Sequence, residues 1–175
     1  FIAGWGDVGL VRMMSKGFVL KIPDDFRGKK PMFIRADAIQ PALYSTIGGV
    51  SGVPLNVPEV LPSLNTGAVS AINTPCLVAE QLQWAAKLDN LNDSVVATVI
   101  GAIVFSSKRI DALPADLKTI LTDTGKVAAN ALTKRIRSED DAAFGRLKSK
   151  MTVTTLSADE KAKWDALFKQ LRQRL

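Results

Sequence analysis

Apolar and polar positions follow two periods along the chain, one typical of strands and one typical of helices. Short β-leaning runs at residues 18–22 and 32–35 flank a stretch of Pro, Asp and Gly that is typical of a turn. At residues 38–47 the apolar positions recur at helical intervals, and Gly48 and Gly49 provide a helix stop. These patterns predict two strands followed by a helix.

The same alternation continues through the middle of the chain. Residues 53–55 predict a strand, and Pro58 is well placed in the first turn of a short helix at 59–65. Residues 69–73 then predict another strand, and Pro75 opens a helix that extends to about residue 87.

The last part of the chain has longer elements. Residues 95–105 form a nearly continuous β-branched apolar run, which predicts a strand buried on both faces at the centre of a sheet. Helical spacing predicts a long helix at 114–137 and a further helix at 139–148. A strand at 151–156 precedes a final helix, opened by a capping box of Ser157 and Glu160. Strands alternating with helices indicate an α/β fold.

The composition of the chain excludes most kinds of catalytic site. The 175 residues, 47% hydrophobic and 23% charged, are enough for one large or two small domains. The chain has no His and a single Cys, Cys76, which excludes Ser-His-Asp and Cys-His arrangements, an internal disulfide framework and a Cys-rich zinc site. We expect no catalytic residue, no metal ligand and no cofactor, and therefore not an enzyme.

The charge pattern is not typical of nucleic-acid binding. The net charge is +6, but Lys and Arg are spread along the chain and become denser only toward the C-terminus. The basic C-terminal helix fits packing on its own domain as well as binding at a membrane surface, and we favour packing. We expect no nucleic-acid partner.

Three motifs carry a family resemblance. DDFRGKKPMFIRAD at residues 24–37 is followed by GVPLNVPEVLPSLNTGAVSAINTP at 52–75 and later by RIDALPADLKTIL at 109–121. Their order and spacing resemble the C-terminal portion of the substrate-binding receptors of tripartite ATP-independent periplasmic (TRAP) transporters. The resemblance implies a two-lobed α/β architecture like that of periplasmic binding proteins, here incomplete at the N-terminus.

The resemblance also implies an organisation and a function. Residues 11–92 are expected to form the first part of the ligand-binding lobe, 93–137 a segment of the other lobe, and 138–175 a return to the ligand-binding lobe with the C-terminal helix. Such receptors capture a small organic acid in the periplasm and deliver it to membrane permease subunits. The alternative is a receptor-like scaffold that has lost transport and binds a companion protein; a homodimer also stays open.

Arg35 is the first candidate for ligand binding. A guanidinium at the end of a strand offers a planar fork of donors that can bind a carboxylate through two hydrogen bonds. The resemblance assigns this role to Arg35. The alternative is a salt bridge to Asp37 or to another surface acid.

Asn73 and Thr74 form a second candidate group, between a predicted strand and the helix that starts at Pro75. Such a junction offers free N–H groups to a polar or anionic ligand, although Thr74 fits equally as a helix cap. The sequence leaves open which of the two contacts ligand.

Three further residues complete the candidate site. Glu59 fits as a helix cap, while the resemblance places it beside the ligand cleft. Arg12 is next to Val11, which falls where the resemblance expects a second ligand-facing Arg. Trp84 offers an aromatic face to a pocket or, equally, a large core side chain.

Overall fold

The structure is a computed structural model that describes all 175 residues. Its strands are β1 (Ile2–Ser15), β2 (Met32–Ile34), β3 (Val53–Leu55), β4 (Ala71–Pro75), β5 (Asn90–Asn92), β6 (Ala97–Val104) and β7 (Thr152–Thr154). Its α-helices are α1 (Ile39–Ile47), α2 (Val57–Thr66), α3 (Cys76–Gln81), α4 (Ser107–Asp111), α5 (Ala115–Lys148) and α6 (Ala158–Arg174). Short 3-10 turns occur at Pro23–Phe26 and Ala85–Lys87. None of the helices combines the length and apolarity needed to cross a membrane.

The long strand β1 organises the larger sheet. Residues 11–15 of β1 pair antiparallel with β4, and residues 2–11 pair antiparallel with β6. β5 pairs with the end of β1 and continues in parallel to β7. β1 therefore joins two regions of sheet, one around β4 and one around β6.

Three parallel strands place their carboxyl ends at one edge. β2 and β3 pair in parallel, and a parallel bridge between Pro31 and Ala71 holds β2 beside β4. Each of these strands leads into a helix, β2 into α1, β3 into α2 and β4 into α3. In open α/β sheets ligands bind at this edge. The residues at the carboxyl ends of β2, β3 and β4 are therefore candidates for ligand binding.

Two hydrophobic cores lie on opposite faces of the sheet. One contains 16 buried residues, among them Met14 and Ile72, and the other contains 11, among them Met13 and Trp164. Successive side chains of a strand point to opposite faces, so the neighbours Met13 and Met14 serve different cores. In the regular part of β1, from Val11 to Ser15, the parity of each position therefore assigns its side chain to one face.

The α/β prediction is confirmed, and most predicted elements occur. The capping box also forms: the backbone N–H of Ser157 donates to the Glu160 carboxylate at 2.7 Å, and the N–H of Glu160 donates to Ser157 Oγ at 3.3 Å. The predicted division at residues 92/93 and 137/138 stays a prediction. Its second boundary falls inside the continuous helix α5.

The predicted strand at 18–22 is wrong. These residues form an irregular segment, anchored where Asn92 Nδ2 donates to the Leu20 carbonyl at 2.7 Å. The strand of this region is β1, which the sequence pattern did not predict. Glycines at positions 4, 6 and 9 interrupt the alternation of side chains that marks a strand.

The helix boundaries also differ from the prediction. The two helices expected at 114–137 and 139–148 are one helix of 34 residues, because Ser138 between them is neither a Pro nor a Gly and does not stop a helix. Conversely, the helix expected at 75–87 ends at Gln81. Gln83 adopts a positive φ of 62°, and a 3-10 turn follows.

The expectation that residues 95–105 lie at a sheet centre is wrong. β6 pairs only with β1, and its other edge is open. Ile100 and Val104 are 68% and 67% exposed. The apolar run therefore forms an edge strand with a largely exposed apolar surface.

Helix α5 packs against β1 at glycine positions. A Cβ atom added to Gly125 would lie 2.6 Å from the Ala3 Cβ and 3.0 Å from the Ala3 carbonyl oxygen. One added to Gly4 would lie 2.5 Å from the Ala129 Cβ. Real Cβ contacts are longer than this, so the close approach of helix and strand depends on these glycines.

Gly125→Ala is expected to lower the free energy of unfolding by about 1–3 kcal/mol, because the added methyl group forces α5 away from β1. Gly145→Ala, in the same helix, is the matched control. A Cβ at Gly145 meets no atom within 4 Å, and Ala favours a helix over Gly by roughly 0.5–1 kcal/mol, so this variant should be stabilised. Urea unfolding measures both variants, and equal stabilisation of the two would contradict the contact at Gly125.

Candidate functional site

An apolar cavity of about 440 Å³ lies on the face of β1 that is packed against α1 and α6. Of its 17 lining residues 12 are hydrophobic, so the walls favour an apolar occupant. They include Val11 and Met13 of β1, Leu43 of α1, and Phe168 of α6. The polar side chains in the lining are few: Asp37, Gln40, Asn73, Thr98 and Arg172.

Arg35 follows β2 at the edge where the parallel strands end. Its backbone N–H donates to the Leu55 carbonyl at 2.9 Å, which ties its position to β3. Its Nη2 donates to the Pro54 carbonyl at 3.2 Å and lies 3.6 Å from Glu59 Oε2. The side chain is 54% exposed and is not part of the cavity lining, although Asp37, two residues further on, is.

Glu59, in the first turn of α2, is the acid that pairs with Arg35. Its carboxylate accepts a hydrogen bond from the backbone N–H of Asn56. This hydrogen bond, with a smaller contribution from Arg35, holds the pKa of Glu59 below its ordinary value. Glu59 therefore has two roles: it is the charged partner of Arg35, and it caps the first turn of α2.

Asn73 and Thr74 lie on opposite faces of β4. In the β1–β4 pair, Asn73 lies opposite Met13 on the neighbouring strand, and Thr74 lies opposite Arg12. Asn73 lines the cavity, whereas Thr74 is 6% exposed on the opposite face. The geometry therefore places Asn73, and not Thr74, at the cavity.

Asn73 is held by Tyr44. Its Nδ2 donates to the Tyr44 hydroxyl at 3.1 Å, and that hydroxyl is 3.1 Å from the Met32 carbonyl oxygen. Burial raises the pKa of Tyr44 above its ordinary value, so the phenol stays neutral. The Asn73 Oδ1 is buried and has no hydrogen-bond partner.

Arg12 points away from the cavity, toward α5. It is 5% exposed, its Nη1 lies 3.8 Å from Asp140 Oδ2, and its guanidinium carbon lies 3.8 Å above the ring of Phe144. Asp140 also accepts hydrogen bonds from the backbone N–H groups of Leu10 at 3.1 Å and Leu77 at 2.8 Å. Val11, by its parity on β1, faces the cavity instead.

Two other residues lie in the core. Trp84 is 3% exposed, packs in the 16-residue core and does not line the cavity. Burial raises the pKa of Cys76 to about 11, so its thiol is protonated at neutral pH. No group of three or more Cys, Asp or Glu side chains is arranged to hold a metal ion.

Sequence reasoning missed the wall formed by α6 and the hydrogen-bond partner of Asn73. Phe168 and Arg172 reach the cavity from the far end of the chain, and nothing in their spacing marks them. Tyr44 and Asn73 are 29 residues apart, and the sequence does not mark their contact. The pairing of Met13 with Asn73 would have located the cavity face, but register is a tertiary property.

Comparison with known proteins gives consistent results at the level of sequence and of fold. The sequence profile described as bacterial extracellular solute-binding protein, family 7, matches residues 2–175. A solute-binding protein of Sulfitobacter sp. strain NAS-14.1 is 26% identical over 141 residues, which are 80% of this chain and 41% of the relative.

Solved structures of TRAP periplasmic solute-binding proteins share the fold. One from Pseudomonas aeruginosa with bound L-malate is 16% identical with a TM-score of 0.90, and the match covers 100% of this chain and 61% of that one. One from Shewanella oneidensis with bound succinate is 18% identical with a TM-score of 0.91, covering 99% of this chain and 56% of that one. One from Sulfitobacter sp. NAS-14.1 with bound β-D-galacturonate is 16% identical with a TM-score of 0.89 and the same two coverages, 99% and 56%.

This chain thus spans somewhat more than half the length of the solved relatives. The predicted resemblance to TRAP receptors is confirmed, as is the prediction of a binding protein and not an enzyme, since the family consists of solute-binding proteins. The chain belongs to bacterial extracellular solute-binding protein family 7.

Proposed function

We propose that this protein is a periplasmic receptor that captures a small organic acid between two lobes and delivers it to the membrane permease subunits of a TRAP transporter. The observation that carries the proposal is Arg35, a half-exposed guanidinium at the edge where β2, β3 and β4 end. Relatives of the same fold contain L-malate, succinate and β-D-galacturonate, each of which bears a carboxylate.

In this proposal Arg35 binds the carboxylate of the ligand. Its present partner Glu59 is 48% exposed, and ion pairs between exposed side chains contribute little free energy. A ligand carboxylate with good bidentate geometry can therefore replace Glu59 at small cost. Asn73 contacts the ligand in the cavity. Arg12 and Thr74, on the opposite face of the sheet, and Trp84, in the core, stabilise the strands that carry the site.

Closure of two lobes would complete the site. We assign residues 11–92 and 138–175 to the ligand-binding lobe and 93–137 to the other lobe. Helix α5 is continuous through both, so it joins the lobes, and residues 2–11 of β1 pair with β6 of the other lobe. Ligand binding then shifts an equilibrium between open and closed forms by its differential affinity for the two.

Calorimetry on the purified intact protein tests the proposal. A panel of small organic acids is titrated beside their uncharged amides, and native mass spectrometry detects any solute carried through purification. At least one acid is expected to bind at least about tenfold more tightly than its amide, because the amide cannot form the charge-assisted pair. Failure of every acid to bind, or equal binding of acids and amides, would overturn the proposal.

Glu59→Gln is expected to strengthen binding of such an acid by about 2- to 5-fold, because an exposed like charge beside the site costs up to about 1 kcal/mol. The glutamine oxygen still accepts from the Asn56 N–H, so α2 keeps its cap. Glu80→Gln is the matched control, since Glu80 pairs with Arg146 elsewhere. Calorimetry of both variants checks this, and weaker binding by Glu59→Gln would mean that Glu59 itself contacts the ligand favourably.

A receptor-like scaffold that binds a companion protein is the second candidate. It is favoured by Val11, an apolar side chain in the cavity at the position where the resemblance expects an arginine. It is also favoured by Ser70 and Ala71, which stand where the resemblance expects Asp and Gly. Recovery of a stable partner that is not a permease, without any small ligand, would support this candidate.

A further inference from the structure

We propose that an apolar stripe on the first half of α5 pairs with the same stripe of a second copy of this chain, with the two helices antiparallel. The spacings within the stripe alternate between three and four residues, and its members are Leu117, Ile120, Thr124, Val127 and Ala131. Two helices pack along a seam of this spacing in a coiled coil. The inference does not depend on the ligand or on the cavity.

The large side chains of the stripe are exposed to solvent. Leu117, Ile120 and Val127 are 46%, 57% and 69% exposed. Contiguous apolar side chains on a surface commonly mark an interaction site. Thr124, which lies between them, donates its hydroxyl to the Ile120 carbonyl at 2.6 Å. Its polar group is therefore satisfied within the helix, and its methyl group can enter an apolar contact.

The stripe lies on the side of α5 that faces away from β1. Gly125 and Ala129 pack against the first residues of β1. A helix turns by about 100° per residue, so Ile120 is about half a turn from Ala129, and Val127 is about 200° from Gly125. The contact with the sheet therefore uses one side of the helix and leaves the stripe on the other.

Charges beside the stripe favour the antiparallel orientation. Four residues recur every seven positions along one flank: Asp116, Asp123, Asn130 and Arg137. In an antiparallel pair, Asp116 lies opposite Arg137 of the partner subunit at each end of the seam. Arg137 is 66% exposed and donates its Nε to Asp7, so its terminal nitrogens can bind a second acid. A parallel pair would place both aspartates beside apolar positions and would form no such ion pair.

The next position of the stripe, Lys134, also selects the orientation. A parallel pair would set Lys134 against Lys134 of the partner subunit, two like charges in one layer. The antiparallel pair sets it against Leu117 of the partner subunit, where the methylene stem can cover the leucine while the ammonium group reaches water. In this register Ile120 lies opposite Ala131 of the partner subunit, so a large side chain meets a small one.

Sedimentation equilibrium of the purified intact protein, from about 5 to 500 μM, tests the pairing. A monomer–dimer equilibrium is expected in this range, because a small interface gives a weak complex. Val127→Glu should raise the Kd of the dimer at least about tenfold, because it places a carboxylate in the apolar seam. Thr119→Glu adds the same charge at an exposed position of α5 outside the stripe and is the matched control. Thermal unfolding checks that both variants fold.

Disulfide crosslinking tests the orientation. The native Cys76 is fully buried and does not interfere. Ile120→Cys and Ala131→Cys, mixed and mildly oxidised, are expected to form a disulfide between the two variants, because a weak dimer exchanges its subunits. Ile120→Cys alone should form none. Crosslinking of Ile120→Cys with itself, and not with Ala131→Cys, would indicate parallel helices and overturn the inference.

Other results would also overturn the inference. A monomer at every concentration would exclude the second copy as the occupant of the stripe. A dimer that Val127→Glu leaves intact would use a different surface. Much slower reaction of Val127→Cys than of Thr119→Cys with a maleimide, in the monomer, would show that the stripe is covered within a single polypeptide.

Discussion

Arg35→Ala is expected to weaken the binding of a carboxylate ligand by about 30-fold or more, because truncating one member of a bidentate charge pair costs about 2–5 kcal/mol. Arg35→Lys should lose less, about tenfold, because lysine keeps the charge and loses the planar fork. Neither change should alter stability by more than about 0.5 kcal/mol, since the Arg35 side chain is half exposed and its ion pair is at the surface.

Isothermal titration of the unchanged protein and of both variants measures these effects. Arg135→Ala is the matched control, because Arg135 on α5 is 79% exposed and pairs with Glu139, far from the strand edge in sequence and without a role in the cavity. Unchanged affinity in Arg35→Ala would remove Arg35 from the site, and an equal loss in Arg135→Ala would indicate only general electrostatic attraction.

Asp140→Ala is expected to lower the free energy of unfolding by about 3–5 kcal/mol, because it leaves the buried cation of Arg12 without its counter-ion. Two backbone N–H groups, of Leu10 and Leu77, also lose their acceptor. The Arg12 Nε and Nη1 have no hydrogen-bond partner even with Asp140 present, so no other group is in place to compensate.

A second substitution separates the charge effect from the lost hydrogen bonds. Adding Arg12→Leu to Asp140→Ala should recover a large part of the lost stability, because the unpaired cation is then absent. Asp141→Ala, at the exposed neighbouring position of the same helix, should change stability by less than about 0.5 kcal/mol. Urea unfolding measures all three, and similar values for Asp140→Ala and Asp141→Ala would contradict the structural role of the buried pair.

Local chemistry explains which elements could be predicted. Gly48 after α1 has a positive φ of 74° and ends that helix, as the sequence predicts, and Gly67 with a φ of 71° ends α2 in the same way. Ser157 and Glu160 likewise specify the start of α6 through their own side chains. These signals lie within a few residues of the structure that they determine.

The failures have a common physical cause, because each depends on contacts between distant parts of the chain. β1 became a strand despite its glycines because β4, β6 and α5 pack on it. The apolar run at 95–105 predicted burial, but burial also depends on what covers the strand. Sequence periodicity contains no information about that covering.

The residues of the candidate site also divide into those whose placement could be predicted and those whose placement could not. Arg35 follows β2, Glu59 lies just after β3, and Asn73 lies in β4, so their placement near one edge of the parallel strands could be anticipated from topology. The opposite orientation of Val11 and Arg12 could not, because a register shift of one residue exchanges the two faces. The sequence of a segment therefore indicates which residues lie near a site, but it does not indicate which of two neighbouring side chains points into the site.

The pairing of β1 also has a consequence for biosynthesis. Ser15 pairs with Ala71 and Ile2 pairs with Val104, so every partner of this strand is made long after it. Contacts of such large sequence separation slow folding, since the intervening loop must close first. On the ribosome β1 is expected to remain an unpaired apolar segment while its partners are translated, and this interval is when the nascent chain most needs protection by chaperones.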